Sequence, residues 1–171
     1  GRPERDLVIL GEGNTSALCE DGTMFVKASG TQLSTIEADG FVRVYRQQVA
    51  ELVNKGNLSD EQVKTALDDA KYDQSVKRRP SVETVLHALA LGEAGVKFVG
   101  HTHPVAVNAL SCSVFVNEAI AGRLFPDEIV VCGPAPLFIP YTDPGLPLAR
   151  AVRDGLASYL DRWGQTPKVI L

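Results

Sequence analysis

The chain has 171 residues, 17 basic and 21 acidic, for a net charge of −4, and that length suits one domain with a sizeable buried core. A mildly acidic chain with no basic run is a poor candidate for binding nucleic acid or a charged membrane surface, and no apolar run approaches the roughly 20 residues that span a bilayer. The opening stretch Gly1 to Asp6 is polar and charged, unlike a signal peptide.

The elements are predicted in chain order. "LVIL" (7–10), "TSALCE" (15–20) and "TMFVKAS" (23–29) are β-like runs, and "EDGT" between the last two carries the Asp-Gly signal of a tight hairpin. "FVRVYR" (41–46) alternates as a strand does. "SDEQVKTALDDA" (59–70) predicts a helix capped by Ser59, with Gln62 completing a capping box. "PSVETVLHALALGEAG" (80–95) predicts a second helix, with Glu83 in its first turn and Gly92 and Gly95 as stops. "VKFVGHTH" (96–103) predicts a strand and "PVAVNALS" a helix. "EIVVC" and "LFIP" are expected as short strands. "PLARAVRDGLASYLDRWG" (147–164) places Leu148, Val152, Leu156 and Leu160 on one helical face, and "KVIL" (168–171) is a last strand. The pattern suggests an α/β domain with a mostly antiparallel sheet flanked by helices. "GEGNTS" lacks the third glycine of a dinucleotide-binding fingerprint. Cys19, Cys112 and Cys132 have no C-x-x-C spacing and are expected to be reduced core residues of a cytoplasmic protein.

Of three histidines, His101 and His103 stand one residue apart. On a strand, residues i and i+2 point to the same side, so the two imidazoles can offer cis positions to one metal ion. The alternative is a pair of ordinary, partly exposed histidines. A catalytic zinc usually has three protein ligands, so a third group is needed. Glu83, on the helix before the histidine strand, is the better placed. His87 shares a helix face with it and, within "VLHALAL", suits a buried structural role.

Taken together, "GEGNTSALCEDGTMFVKASGTQL", "PSVETVLHAL" and "HTHPVAVNAL", in that order, resemble the class II aldolase/adducin superfamily over roughly Leu7 to Leu171. The wording is most similar to the aldolase half of the rhamnulose-phosphate aldolase/alcohol dehydrogenase type. The resemblance implies a three-layer α/β/α fold around a central, mainly antiparallel sheet. It implies a cytoplasmic homotetramer of carbohydrate metabolism, acting on a small sugar or sugar phosphate. His101 and His103 fall on ligands of Zn2+ or another divalent metal. Glu83 falls on the catalytic carboxylate. Gly13, Asn14, Ser29, Gly30 and Ser81 fall on loops that hold the substrate's phosphate. The implied reaction is that of a zinc-dependent lyase making or breaking a C–C bond through a metal-stabilised enediolate. Epimerases, dehydratases, decarboxylases and non-catalytic adducin-like assembly modules share the scaffold.

Two departures from the family pattern stand out. The family's third zinc histidine lies in an Asn-His-Gly or His-His-Gly segment just after the strand that reads "KVIL", so residues 1–171 are expected to be a single domain truncated at its C-terminal end. Val82 replaces a serine of phosphate-using relatives and supplies no hydrogen bond; Arg78 or Arg79 is the expected compensation, by pairing with an anion. The chemistry also calls for Glu83 to have a pKa raised by partial burial.

Overall fold

A computed structural model describes residues 3–9 and 11–171. Four strands form one antiparallel sheet: β1 (Asn14–Leu18), β2 (Thr23–Lys27), β3 (Phe41–Tyr45) and β4 (Phe98–His101), in the order β3-β2-β1-β4. The β1–β2 hairpin closes where expected, with the Cys19 N–H donating to Thr23 O and the Gly22 N–H to Cys19 O. β-branched and long apolar side chains alternate to one face of the sheet. Met24, Val26, Ala28, Val42 and Val44 are all buried there, while Phe25 and Tyr45 face outward. Arg43 lies over the rings of Phe25 and Tyr72 on that outer side.

The helices are α1 (Arg46–Ala50), α2 (Asp60–Asp69), α3 (Thr84–Ala90), α4 (Val105–Ser111), α5 (Val116–Ile120), α6 (Pro126–Cys132) and α7 (Leu146–Trp163). α2 starts on the expected capping box between Ser59 and Gln62. α1, α2 and α3 supply Val49, Val63, Leu67, Val85 and Ala88 to the main core, and α7 adds Leu146 and Ala149. Burying the valines and leucines among them contributes about 1.5–3 kcal/mol each. α7 also packs Val152, Leu156 and Tyr159 against Leu137.

Several expectations are corrected. Residues 7–9 of "LVIL" form no strand, and Leu10 lies outside the described residues; Leu7 O instead accepts from the His103 N–H. "EIVVC" is helical: Pro126 starts α6 and Asp127 and Glu128 occupy its first turn, a helix-start signal that outweighs the β-branched run. "LFIP" and "KVIL" pair only with each other, through a parallel bridge between Leu137 and Ile170. The second predicted helix begins at Thr84 rather than near Pro80, because Pro80 bridges Ala28 in extended conformation. Glu83 is therefore the residue that caps this helix, not one within its first turn. The three cysteines are free, as expected, but none is in the core. Cys19 and Cys132 are half-buried, Cys112 is exposed, and α4 and α6 contribute no buried residue.

Two glycines fix the loops beside β1 and β2. Gly13 (φ +86°) runs so close to the next strand that a Cβ would stand 2.8 Å from the His101 carbonyl oxygen. Gly30 (φ +77°) has open space around it. Both conformations disfavour L side chains, at about 1–3 kcal/mol, but only Gly13 adds a backbone collision. Gly13→Ala is expected to cost more than Gly30→Ala by at least about 1 kcal/mol in urea unfolding; equal costs would mean that β4 does not press on Gly13.

Candidate functional site

Four chain segments converge at one end of the sheet. The antiparallel register pairs Asn14 with His101, Thr15 with Gly100 and Ser16 with Val99. The bridge from Ala28 to Pro80, extended by the Ser29 N–H donating to Arg79 O, brings the "KASG" loop against the "RPSVE" turn. Glu83, at the head of α3, thus faces the end of β4.

β4 ends at His101, so His103 lies in the extended exit rather than on the strand itself. The two rings nevertheless sit side by side, 4.9 Å between centroids. Glu83 joins them: its Oε2 is 3.6 Å from His101 Nδ1. One ligand atom from each of Glu83, His101 and His103 lies within 4.8 Å of the others, a group that can hold a metal ion. The donor set fits a divalent cation. Among the described residues His101 Nδ1 and His103 Nε2 are both buried without a hydrogen-bond partner, which is costly unless something electrophilic takes their lone pairs. Two imidazoles and a carboxylate suit zinc and its neighbours in the transition series.

Glu83 is ionised, with its pKa held down at about 2. The His101 imidazole beside it lowers it most. Partial burial works the other way, and the Asn14 amide, donating to Oε2 at 3.2 Å, adds to the lowering. At 3.6 Å the His101 contact is long for a hydrogen bond. The raised pKa expected from burial is thus reversed: neighbouring donors outweigh desolvation.

Asn14 is buried and its amide is fully used. It donates to Ser81 Oγ at 2.8 Å as well as to Glu83, and its oxygen accepts from the Thr15 N–H. A cleft of about 530 Å³ opens beside the group, lined among others by Gly13, Ser29, Gly30, Ser81, Glu83 and His103. Val82 lines it too, half-exposed and without a polar atom to offer.

Three cations line this cleft: Lys27, Lys64 and Arg79. Lys27 is 5% exposed; its ammonium donates to Thr31 O and has no carboxylate partner among the described residues. The Arg79 side chain has no hydrogen bond or ion pair among the described residues, whereas Arg78 is held by Asp39 at 2.8 Å. Sequence reasoning left Arg78 and Arg79 as equals and passed over Lys27, Lys64 and Glu12. The signal for Lys27 was present: a lysine closing an apolar strand immediately before a Ser-Gly turn.

His87 is fully buried, as its apolar surroundings predict. Its Nδ1 shares a 2.7 Å hydrogen bond with Ser16 Oγ, and its ring centroid is 5.9 Å from that of His101.

The model of the class II aldolase and adducin N-terminal domain matches residues 3–171. The chain belongs to that family. Among curated proteins it is 30% identical, over 163 residues, to an uncharacterized oxidoreductase, YuxG, of Bacillus subtilis; the match covers 91% of this chain and 22% of the relative. Among solved structures, the N-terminal class II aldolase domain of a Thermoplasma acidophilum protein aligns with a TM-score of 0.68 at 28% identity, over 87% of this chain and 67% of that one. L-fuculose-1-phosphate aldolase from Thermus thermophilus aligns with a TM-score of 0.58 at 18% identity, over 90% of this chain and 63% of that one, and shares the fold. So does YgbL of Escherichia coli, whose description leaves aldolase, epimerase and decarboxylase open; it aligns with a TM-score of 0.63 at 20% identity, over 98% of this chain and 67% of that one. The chain therefore spans under a quarter of the curated relative's length and about two thirds of these structures. Among the described residues no helix is long and apolar enough to cross a membrane.

Burial lowers the pKa of His87 to about 4, helped by the charge of His101 and opposed by Glu83. Between the usual value of 6.5 and about 4, the unfolded chain takes up a proton that the folded chain refuses. The stabilisation from a neutral His87 is complete above 6.5, and up to about 3 kcal/mol of it is lost as pH falls toward 4. Glu83, whose pKa is lowered from 4.5 to about 2, contributes stability that is lost as pH falls through 4.5 toward 2. In urea unfolding with a chelator present, His87→Gln is expected to flatten the stability profile between pH 6.5 and 4.5; an unchanged slope would place the titration elsewhere.

Proposed function

We propose that residues 1–171 act as one domain of a zinc-dependent aldolase-type lyase that cleaves or forms a C–C bond in a small ketose or ketose phosphate. The observation that carries this reading is the Glu83–His101–His103 group at the mouth of a cationic cleft. A divalent ion bound there supplies Lewis-acid polarisation of a carbonyl and its neighbouring hydroxyl, several kcal/mol of charge stabilisation.

This chain's own side chains do the rest. His101 and His103 bind through neutral imidazole, which leaves the ion's charge for the substrate. Glu83, ionised and oriented by Asn14, is ready to accept a proton from the substrate or return one as the C–C bond is exchanged. Gly13, Ser29, Gly30 and Ser81 hold the distal end of the substrate. Their small side chains and open backbone let N–H and O–H groups approach an anion. Lys27 and Arg79 supply the charge that Val82 cannot replace, and a buried ammonium with no carboxylate favours an anionic ligand. The apolar side chains left exposed on and between α4, α5 and α6, Phe115, Leu124 and Val131 among them, support self-association, for which a homotetramer is the proposed form. A non-catalytic adducin-like module would have no use for an intact metal group. Epimerase, dehydratase and decarboxylase activity would use the same trio on a different substrate.

The test is a retro-aldol assay of the zinc-loaded protein across a panel of ketoses and ketose phosphates, with products identified by NMR. Cleavage to two carbonyl fragments is expected. Glu83→Gln, compared at equal zinc content by metal analysis, should lower kcat by about 10²–10⁴-fold. Epimerised or decarboxylated product, or equal turnover by the variant, would refute the lyase assignment.

A further inference from the structure

The loop that leads into β1 carries a carboxylate that none of the roles above uses. Glu12 Oε2 lies 3.1 Å from His103 Nδ1. The opposite nitrogen, Nε2, is buried without a partner among the described residues. The pairing has a geometric origin. In the β1–β4 ladder, partner numbers descend on one strand as they rise on the other: Leu18 lies past Phe98's partner Ala17, and Asn14 faces His101. Past Asn14 the strand ends and Gly13 (φ +86°) turns the chain; its missing Cβ lets the loop run against the carbonyl of His101, and this close approach brings Glu12 beside His103.

We propose that Glu12 is a positioning residue for metal binding. It accepts the Nδ1–H of His103, fixes that tautomer, and so turns the lone pair of Nε2 toward Glu83 and His101. A neutral imidazole carries one ring proton. With that proton held at Nδ1 by a carboxylate, Nε2 is left as the donor atom, and the ring cannot rotate without breaking the hydrogen bond. Such carboxylate–imidazole pairs behind a metal ligand raise its basicity and hold its angle; losing one typically weakens metal affinity by about 10–100-fold. Glu12 itself stands outside the Glu83–His101–His103 group, behind the ring rather than in the ligand set. The proposal rests on the metal reading of that group.

Two readouts test it, on the intact protein and its Glu12→Ala and Glu12→Gln variants. Long-range ¹⁵N–¹H NMR of the histidine rings in the metal-free protein reports the tautomer of His103. Competition with a chromogenic chelator reports zinc affinity. The expected result is the Nδ1–H tautomer in the wild type and a mixed or reversed tautomer in Glu12→Ala. Zinc affinity should fall at least about tenfold in that variant, with the urea midpoint unchanged because Glu12 is exposed. Glu12→Gln, which still accepts a hydrogen bond, should restore the tautomer and most of the affinity. An Nε2–H tautomer in the wild type, or zinc bound equally by wild type and Glu12→Ala, overturns this proposal alone. No zinc bound by the wild type overturns the metal reading and the proposal together.

Discussion

The structure of the site depends on the register between β1 and β4. A sheet has a side-chain period of two, so a slip of one residue would turn every side chain of a strand to the other face. The observed register sets Asn14 opposite His101. That pairing goes with the contact of Asn14 with Glu83 and Ser81 and the buried hydrogen bond between Ser16 and His87. The register is held on the core face by the buried Asn14 and Ser16 of β1, which share hydrogen bonds with Ser81 and Glu83 and with His87. It is also held by Gly13, the residue whose backbone touches the next strand.

Charge is arranged in two zones around this frame. Glu83 and Glu12 stand with the two histidines, while Lys27, Lys64 and Arg79 line the adjoining cleft. A cation bound by the first zone and an anion bound by the second would neutralise each other's surroundings at close range, so a ligand presenting a chelating oxygen pair at one end and a negative group at the other matches both. The acidic side of this arrangement also explains why burial does not raise the pKa of Glu83. A carboxylate flanked by an imidazole and an amide donor remains charged even when water is partly excluded.

Much of this was legible in the sequence, and what was not has local causes. The H-x-H spacing predicts two rings on one side, and the rings are side by side although the second lies past the strand end. His87 in an apolar helix predicts a buried ring. The Ser59–Gln62 capping box and the helix α7 are as expected, since each is encoded by residues within a few positions of one another, but the buried face of α7 is turned: Ala149 and Tyr159 join Val152 and Leu156 inside, while Leu160 is exposed. Pairings between segments distant in sequence were not legible. Ala28 with Pro80, which delays the start of α3, and Glu12 with His103, which depends on the turn at Gly13, cannot be read from either partner alone. "EIVVC" shows the same limit at short range: β-branched residues suggest a strand, but a proline and two acidic residues at its start select a helix.

The central claim is that the group at the end of β4 grips a divalent cation through His101, His103 and Glu83. X-ray absorption at the zinc edge of the zinc-loaded protein tests it directly. The account predicts a first shell of nitrogen and oxygen at about 2.0–2.2 Å, with the outer scattering of two imidazoles that drops to one in His101→Ala. A sulfur shell near about 2.3 Å, which would implicate the cysteines, or the spectrum of hydrated zinc without imidazole scattering, would contradict it.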